Sequence, residues 1–237
     1  MAEWLNSTFA SFDGAVFGGM NTIAQTAGGF LTPFFKIVSL FGEGGIFFIL
    51  VSLALILFKK TRRVGITMLF AIGVGALFTN IVLKNLVARP RPYTDTQYTA
   101  FWEFTGAVKE SEYSFPSGHT TATTASMMAI FLCCNKKWSW VGFLFALLMA
   151  TSRVYLTVHY TTDVIAGLIV GSVAGTISYF LIKLVYSVAE KHKDSKFFNF
   201  VVNADVLNLF REKQRKADLI DTAHEPKSGA STKEENK

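Results

Sequence analysis

The chain has 237 residues, 51% of them apolar and 23 of them phenylalanine, and much of that apolar content lies in long uncharged runs. About 20 consecutive apolar residues cross a bilayer, so this pattern excludes an ordinary soluble enzyme and predicts a polytopic membrane protein. The net charge of +6 collects at the ends of the runs, with no basic stripe interleaved with aromatics, which argues for membrane orientation and against nucleic-acid binding.

In chain order, residues 1–42 come first. "MAEWLNSTFASFDGAVFGG" has no basic residue, and the first Lys or Arg is Lys36, so no cleaved signal peptide is expected. "AQTAGGFLTPFFKIVSLFG" is broken by Gly and Pro, which predicts amphipathic helices lying at the interface; counted as a span, this stretch would be a sixth. Residues 43–185 follow as the core of an all-α transmembrane bundle, with five spans at about 44–58, 64–83, 120–134, 138–152 and 164–185. The last carries Gly167, Gly171 and Gly175, a small-xxx-small spacing that lets two helices approach closely. Cys133 and Cys134 are adjacent, too few for a zinc site and unsuited to bridging each other, and are expected as buried thiols at a helix end. Residues 186–237 form a tail, with "FFNFVVNADVLNLFREKQRK" expected to be amphipathic and the polar end disordered.

Alternate loops are basic: "FKKTRR", "NKKW" and "EKHKDSK". This places them and the C-terminus in the cytoplasm, and the intervening loops outside. Yet Lys84, Arg89 and Arg91 follow the second span and Arg153 ends the fourth, all on the side that should lack positive charge. One such cation is explained by snorkelling. Several at one level of the bundle call for a ligand.

At that level stand "KNLVARPRP", "PSGHTT" and "SRVYLTVHYTTD". Lys as a point charge, Arg as a planar donor and the backbone N–H groups of a helix start suit a tetrahedral dianion. Ser117 is placed to cap the third span, and Gly118 to let the backbone approach a ligand. His159 and Asp163 are four apart, so on a helix they share a face. A carboxylate on one imidazole nitrogen leaves the other basic and aimed. His119, from another helix, is then the candidate proton donor to a leaving oxygen. Taken singly, "PSGH" reads as a plain helix start and the His–Asp pair as an interfacial hydrogen bond.

Lys84, six residues and Arg91-Pro92; Pro116 to His119; and Ser152-Arg153, five residues, His159, three residues and Asp163 make three boxes. In this order and spacing they resemble the type-2 phosphatidic acid phosphatase family of membrane lipid phosphatases. The likeness covers about residues 43–185. It implies a six-helix core and a metal-free, cofactor-free site at the outer leaflet. It further implies that His159 attacks phosphorus and becomes a phosphohistidine, that Asp163 orients it and that His119 protonates the leaving oxygen. Lys84, Arg91 and Arg153, helped by Ser117, Gly118 and Ser152, would hold the phosphoryl oxygens. Arg89 is at the wrong distance from Lys84 for the pattern and stays outside this set. The expected substrate is a membrane lipid phosphate, first undecaprenyl diphosphate, with phosphatidylglycerophosphate or phosphatidate as the second reading. A non-catalytic anion transporter would use the same cations, but needs no His–Asp pair and shows no internal repeat. A haloperoxidase shares such a pocket in a soluble fold, which the spans disfavour. The loop from Tyr93 to Tyr113 is expected to cap the headgroup.

Overall fold

The structure is a computed structural model that describes residues 1–110, 112–192 and Arg215. The expected amphipathic and disordered parts of the tail fall almost wholly outside these residues. Among the described residues the regular structure is all helical. Three helices open the chain: α1 (Ala2–Thr8), α2 (Ala10–Thr26) and α3 (Leu31–Leu40). A tight turn at Glu43–Gly45, with Gly44 and Gly45 at positive φ, leads into α4 (Ile46–Ile56). Next, α5 (Arg62–Ala76) runs on as a π-helical stretch, Leu77–Leu83, and ends in the single turn α6 (Lys84–Val87). Beyond it come α7 (Thr96–Thr105), α8 (Gly118–Cys133), the single turn α9 (Lys136–Ser139), α10 (Val141–Tyr155) and α11 (Thr161–Lys191).

The core is the packing of α11 and α5 on α8. Its cause is legible in the glycines of α11. A Cβ on Gly171 would lie 2.6 Å from the Thr121 carbonyl oxygen, and one on Gly175 would lie 2.9 Å from that of Ala125. The two backbones therefore nearly touch, the approach that small residues at every fourth position permit. Met68, Ala71, Ala125, Ala129 and Ala174 fill the adjoining space and are fully buried. Opposite this seam, Ile165, Ile169, Val173 and Ile177 remain exposed. Small residues inside and bulky apolar residues outside reverse the pattern of a soluble bundle, as expected where hydrocarbon replaces water.

Two helical stretches are long and apolar enough to cross a membrane, 62–94 and 161–191, and a third counts if α3 and the Glu43–Ile56 stretch, bent by 41°, form one span. The predicted segments at 120–134 and 138–152 form α8 and α10, of 16 and 15 residues. At 1.5 Å per residue they measure about 24 and about 22 Å, less than a hydrocarbon core of about 30 Å. On α8 the buried Thr120, Thr121, Thr123, Thr124 and Ser126 face neighbouring helices, so its environment is protein rather than lipid. The core boundary expected at residue 185 is passed without a break, because α11 continues to Lys191.

Two further expectations are modified. The N-terminal helices do more than lie on a surface: α2 docks against α10 and α11, burying Phe17 and even Asp13 to 1% exposure. Cys133 is half-buried and Cys134 exposed, because the latter lies past the last turn of α8.

Candidate active site

Each box arrives at the site through a local device. Ser117 caps α8, its hydroxyl oxygen accepting from the Thr120 N–H at 3.4 Å, and Gly118 and His119 open the first turn. The Ser117 N–H donates to the Asp163 carbonyl at 3.1 Å, which clamps the start of α8 to the start of α11. Ala88, at φ 51°, ends α6 and turns the chain into Arg89-Pro90-Arg91. Thr157, at φ 57°, does the same before His159. Left-handed conformations of non-glycine residues cost on the order of 1–3 kcal/mol, and here both stand within two or three residues of a candidate site group.

His159 and Asp163 do not meet as neighbours on a helix face, because His159 precedes α11, which begins at Thr161. They meet through the helix cap. The Tyr160 N–H donates to Asp163 Oδ2 at 2.9 Å, folding the carboxylate back so that Oδ2 lies 3.6 Å from His159 Nδ1. That nitrogen is buried and has no hydrogen-bond partner. On the other side of the ring, Arg91 Nη1 lies 3.1 Å from Nε2. Guanidinium only donates, so Nε2 is the acceptor and the proton sits on Nδ1, facing Asp163. Burial, with Arg91 and Arg153 alongside, holds the imidazole well below its ordinary pKa. His159 is thus neutral, with its lone pair turned toward the cations.

Lys84, Arg91 and Arg153 are all buried. Arg153, from α10, donates to Ser39 of α3 and to Glu110, while its Nε has no partner. Arg91 pairs with Glu110 Oε2 at 2.6 Å, and Lys84 pairs with Glu112. Both carboxylates belong to the loop leading from α7 to the "PSGH" turn. Burial pushes the Glu110 carboxyl up, but the Arg153 and Arg91 guanidiniums together outweigh this and hold it below the usual carboxylate range. Glu110 therefore occupies the centre of the cation cluster, with Oε2 3.9 Å from His159 Nε2. A cavity of about 220 Å³ lies on the Lys84 side, bounded by Gly118, His119 and His159, and one of about 360 Å³ on the Arg153 side, bounded by Lys36, Lys109 and His119. Glu110 and His119 line both.

Of the sequence-predicted residues, Lys84, Gly118, His119 and His159 meet at the first cavity, Arg153 reaches the second, and Arg91 bridges His159 to Glu110. Ser117 stands behind them as the cap. Ser152 is not brought in: its buried hydroxyl donates to the Met149 carbonyl at 2.7 Å. Sequence reasoning missed Asp13, Ser39, Glu110 and Glu112, and set Arg89 aside. Arg89 is 1% exposed and bonded to Asp163 Oδ1 at 2.7 Å and Asp13 Oδ2 at 2.9 Å. Asp13 had a readable signal, being the sole charged residue between Glu3 and Lys36. Among the described residues, no three His, Cys, Asp or Glu side chains gather so as to hold a metal ion.

Fold and site together define a helical membrane protein with a buried cluster of cations beside a carboxylate-backed histidine. Residues 64–186 match the PAP2 superfamily, and the chain belongs to it. It is similar to an undecaprenyl-diphosphatase of Sulfolobus acidocaldarius, 36% identical over 52% of this chain and 57% of that protein. It is also similar to phosphatidylglycerophosphatase B of Bacillus subtilis, 32% identical over 57% of this chain and 64% of that one. The chain thus spans less than two thirds of the length of either relative. A solved transmembrane PAP2-type phosphatidylglycerolphosphate phosphatase from Bacillus subtilis superposes with a TM-score of 0.50 at 26% identity, covering 76% of this chain and 88% of that one.

Proposed function

We propose that this protein is a membrane lipid phosphatase that hydrolyses an isoprenoid diphosphate, undecaprenyl diphosphate, to the monophosphate through a phosphohistidine on His159. The observation that carries the reading is the convergence of Arg91 and Arg153 on the Glu110 carboxylate beside the Nε2 lone pair of His159, with Lys84 lining the same cavity. A carboxylate and a phosphoryl group present similar oxygens to cations, so the position of Glu110 is where a phosphoryl group would bind. Substrate would displace Glu110 and take over its cations. Nε2 then attacks phosphorus, the bond to the leaving oxygen breaks, and His119 gives that oxygen its proton. The ring keeps its Nδ1–H and becomes cationic, with the Asp163 carboxylate opposite that N–H stabilising the charge. Water next attacks the phosphohistidine and releases inorganic phosphate, with His119 taking a proton from that water. The cations act by stabilising charge on the transferring group, and their preorganisation in a buried site strengthens the effect.

The diphosphate is favoured over a monoester by the cavities on either side of Glu110. They share Glu110 and His119 as walls, with Lys84 on one side and Arg153, Lys36 and Lys109 on the other. That is room and charge for two phosphoryl groups. Phosphatidylglycerophosphate or phosphatidate is the second reading, the former supported by the Bacillus subtilis phosphatidylglycerophosphatase. Phosphate release by purified protein from undecaprenyl diphosphate, phosphatidylglycerophosphate and phosphatidate tests both, with hydrolysis expected to persist in excess chelator. Chelator-abolished activity restored by magnesium would overturn the cation mechanism.

The site is proposed to face outward, because the loops on the opposite side are the basic ones. Single cysteines at Thr96 and Thr61, in a background lacking Cys133 and Cys134, check this. An impermeant reagent on intact cells should label position 96 and spare position 61.

A further inference from the structure

We propose that Arg89, held in place by Asp13 of α2, is a positioning residue that sets Asp163 against His159, so that the N-terminal helix completes the catalytic apparatus. The inference rests on the reading of His159 as nucleophile and Asp163 as its orienting group. Asp163 is fully buried, and both its oxygens are assigned. Oδ1 accepts from Arg89 Nη1 at 2.7 Å, and Oδ2 accepts from the Tyr160 N–H at 2.9 Å and faces His159 Nδ1. These two bonds fix the carboxylate plane and leave a lone pair of Oδ2 for the imidazole.

Arg89 is itself held on every side. Its Nε donates to Asn6 at 2.8 Å, its Nη1 also reaches the Thr162 hydroxyl at 2.7 Å, and its Nη2 donates to Asp13 at 2.9 Å. The Tyr160 ring lies against the guanidinium, 3.7 Å from carbon to centroid. Asp13 in turn accepts from the Thr162 N–H at 2.9 Å, so one carboxylate of α2 pins both the arginine and the first turn of α11. A planar fork with fixed donors suits this role, and a lysine would supply the charge without the geometry.

Two observations separate this role from others. Arg89 lines neither cavity beside His159, so it does not reach substrate. A purely structural buried pair is often no more stabilising than apolar packing, which leaves orientation as the reason for charge here. The cluster of Arg89, Asp13 and Asp163 also carries one net negative charge. It sits behind a ring that turns cationic when Nε2 bonds phosphorus.

The test uses this 237-residue chain in detergent with undecaprenyl diphosphate, measuring steady-state rates and single-turnover phosphoenzyme. Arg89→Ala should lower kcat about 10²-fold, the scale of a 1 Å misplacement, with KM within about twofold of wild type. Millimolar guanidinium should recover about tenfold of that loss in Arg89→Ala and change neither wild type nor Arg89→Lys, on the scale of a single charge-assisted contact. Added to Asp163→Asn, Arg89→Ala should cost less than about twofold more, because both act through one group. A raised KM with kcat intact, or a full further loss in the double variant, overturns the proposal. Should Arg89→Ala fail to fold, Asp13→Asn keeps the shape; measured at a temperature well below its own unfolding transition, its kcat should fall about tenfold, the middle of the range for coupled neighbours. An unchanged kcat in Asp13→Asn overturns the role of α2. A wild type without phosphate release, or an Asp163→Asn protein equal to it, would sink the underlying reading. Full activity in Arg89→Ala beside an impaired Asp163→Asn would sink the positioning role alone.

Discussion

Two arginine–carboxylate clusters meet at His159, one on each face of the ring, and they differ in who supplies the carboxylates. On the Nδ1 side, Arg89 is paired with Asp13 and Asp163, whose side chains are 1% and 0% exposed and anchored in helices. On the Nε2 side, Arg91, Arg153 and Lys84 are paired with Glu110 and Glu112, 27% and 61% exposed, on a loop. The cations are buried in both. A carboxylate anchored in a helix cannot leave without unfolding its surroundings, whereas one on a partly exposed loop can be exchanged for another anion. The difference teaches that burial of the anion, rather than of the cation, separates a fixed cluster from one whose anions stand partly in the open.

The harshest way to break this comparison is to remove the residue that joins its halves. His159→Ala should abolish turnover and any trapped phosphoenzyme, whatever the leaving group. His119→Ala should lose about 10²–10⁴-fold with an alkyl leaving group and much less with a nitrophenolate, which needs no proton. Rates with one alkyl and one aryl phosphate measure both; wild-type behaviour of His159→Ala would assign the nucleophile elsewhere.

Removing an anion from each cluster sharpens the contrast in stability. Asp13→Ala should cost about 3 kcal/mol, the low end for breaking a buried pair because Asp163 still faces Arg89. Glu112→Ala, at an exposed position, should cost under about 1 kcal/mol. Chemical unfolding in detergent compares the two, and equal losses would contradict a permanent and an exchangeable cluster.

Glu110 offers a gentler test. Glu110→Gln removes the resident anion, so inorganic phosphate should inhibit about tenfold more tightly, a change of roughly 1.4 kcal/mol. An unchanged inhibition constant would mean that Glu110 does not compete with phosphate. The pH dependence follows from the same pair. The folded-state pKa of Glu110 is depressed, so its contribution to stability is fully present above the ordinary carboxylate range. It fades as pH falls through the depressed value. Wild type should therefore lose stability on that acid side by slightly more than Glu110→Gln does, as read from unfolding temperatures at matched pH.

Much of the molecule was legible along the chain because the physics involved is local. Apolar runs, alternate basic loops, the fourfold glycine spacing of α11 and the cap at Ser117 depend on residues a few positions apart. The three boxes were readable for the same reason. The helical relation inferred for His159 and Asp163 was not, since a cap and not a helix turn joins them. Nor was the placement of Ser152, whose hydroxyl turns to its own helix.

The sequence by itself determined the class of fold, the family boxes and the group of candidate catalytic residues. Only the tertiary structure decided which charges face one another. Asp13 meets Arg89 across 76 positions, Arg89 meets Asp163 across 74, and Arg153 meets Glu110 across 43. Such pairings carry no periodicity, because a charge buried in a bundle takes whichever opposite charge the packing of distant helices brings within reach.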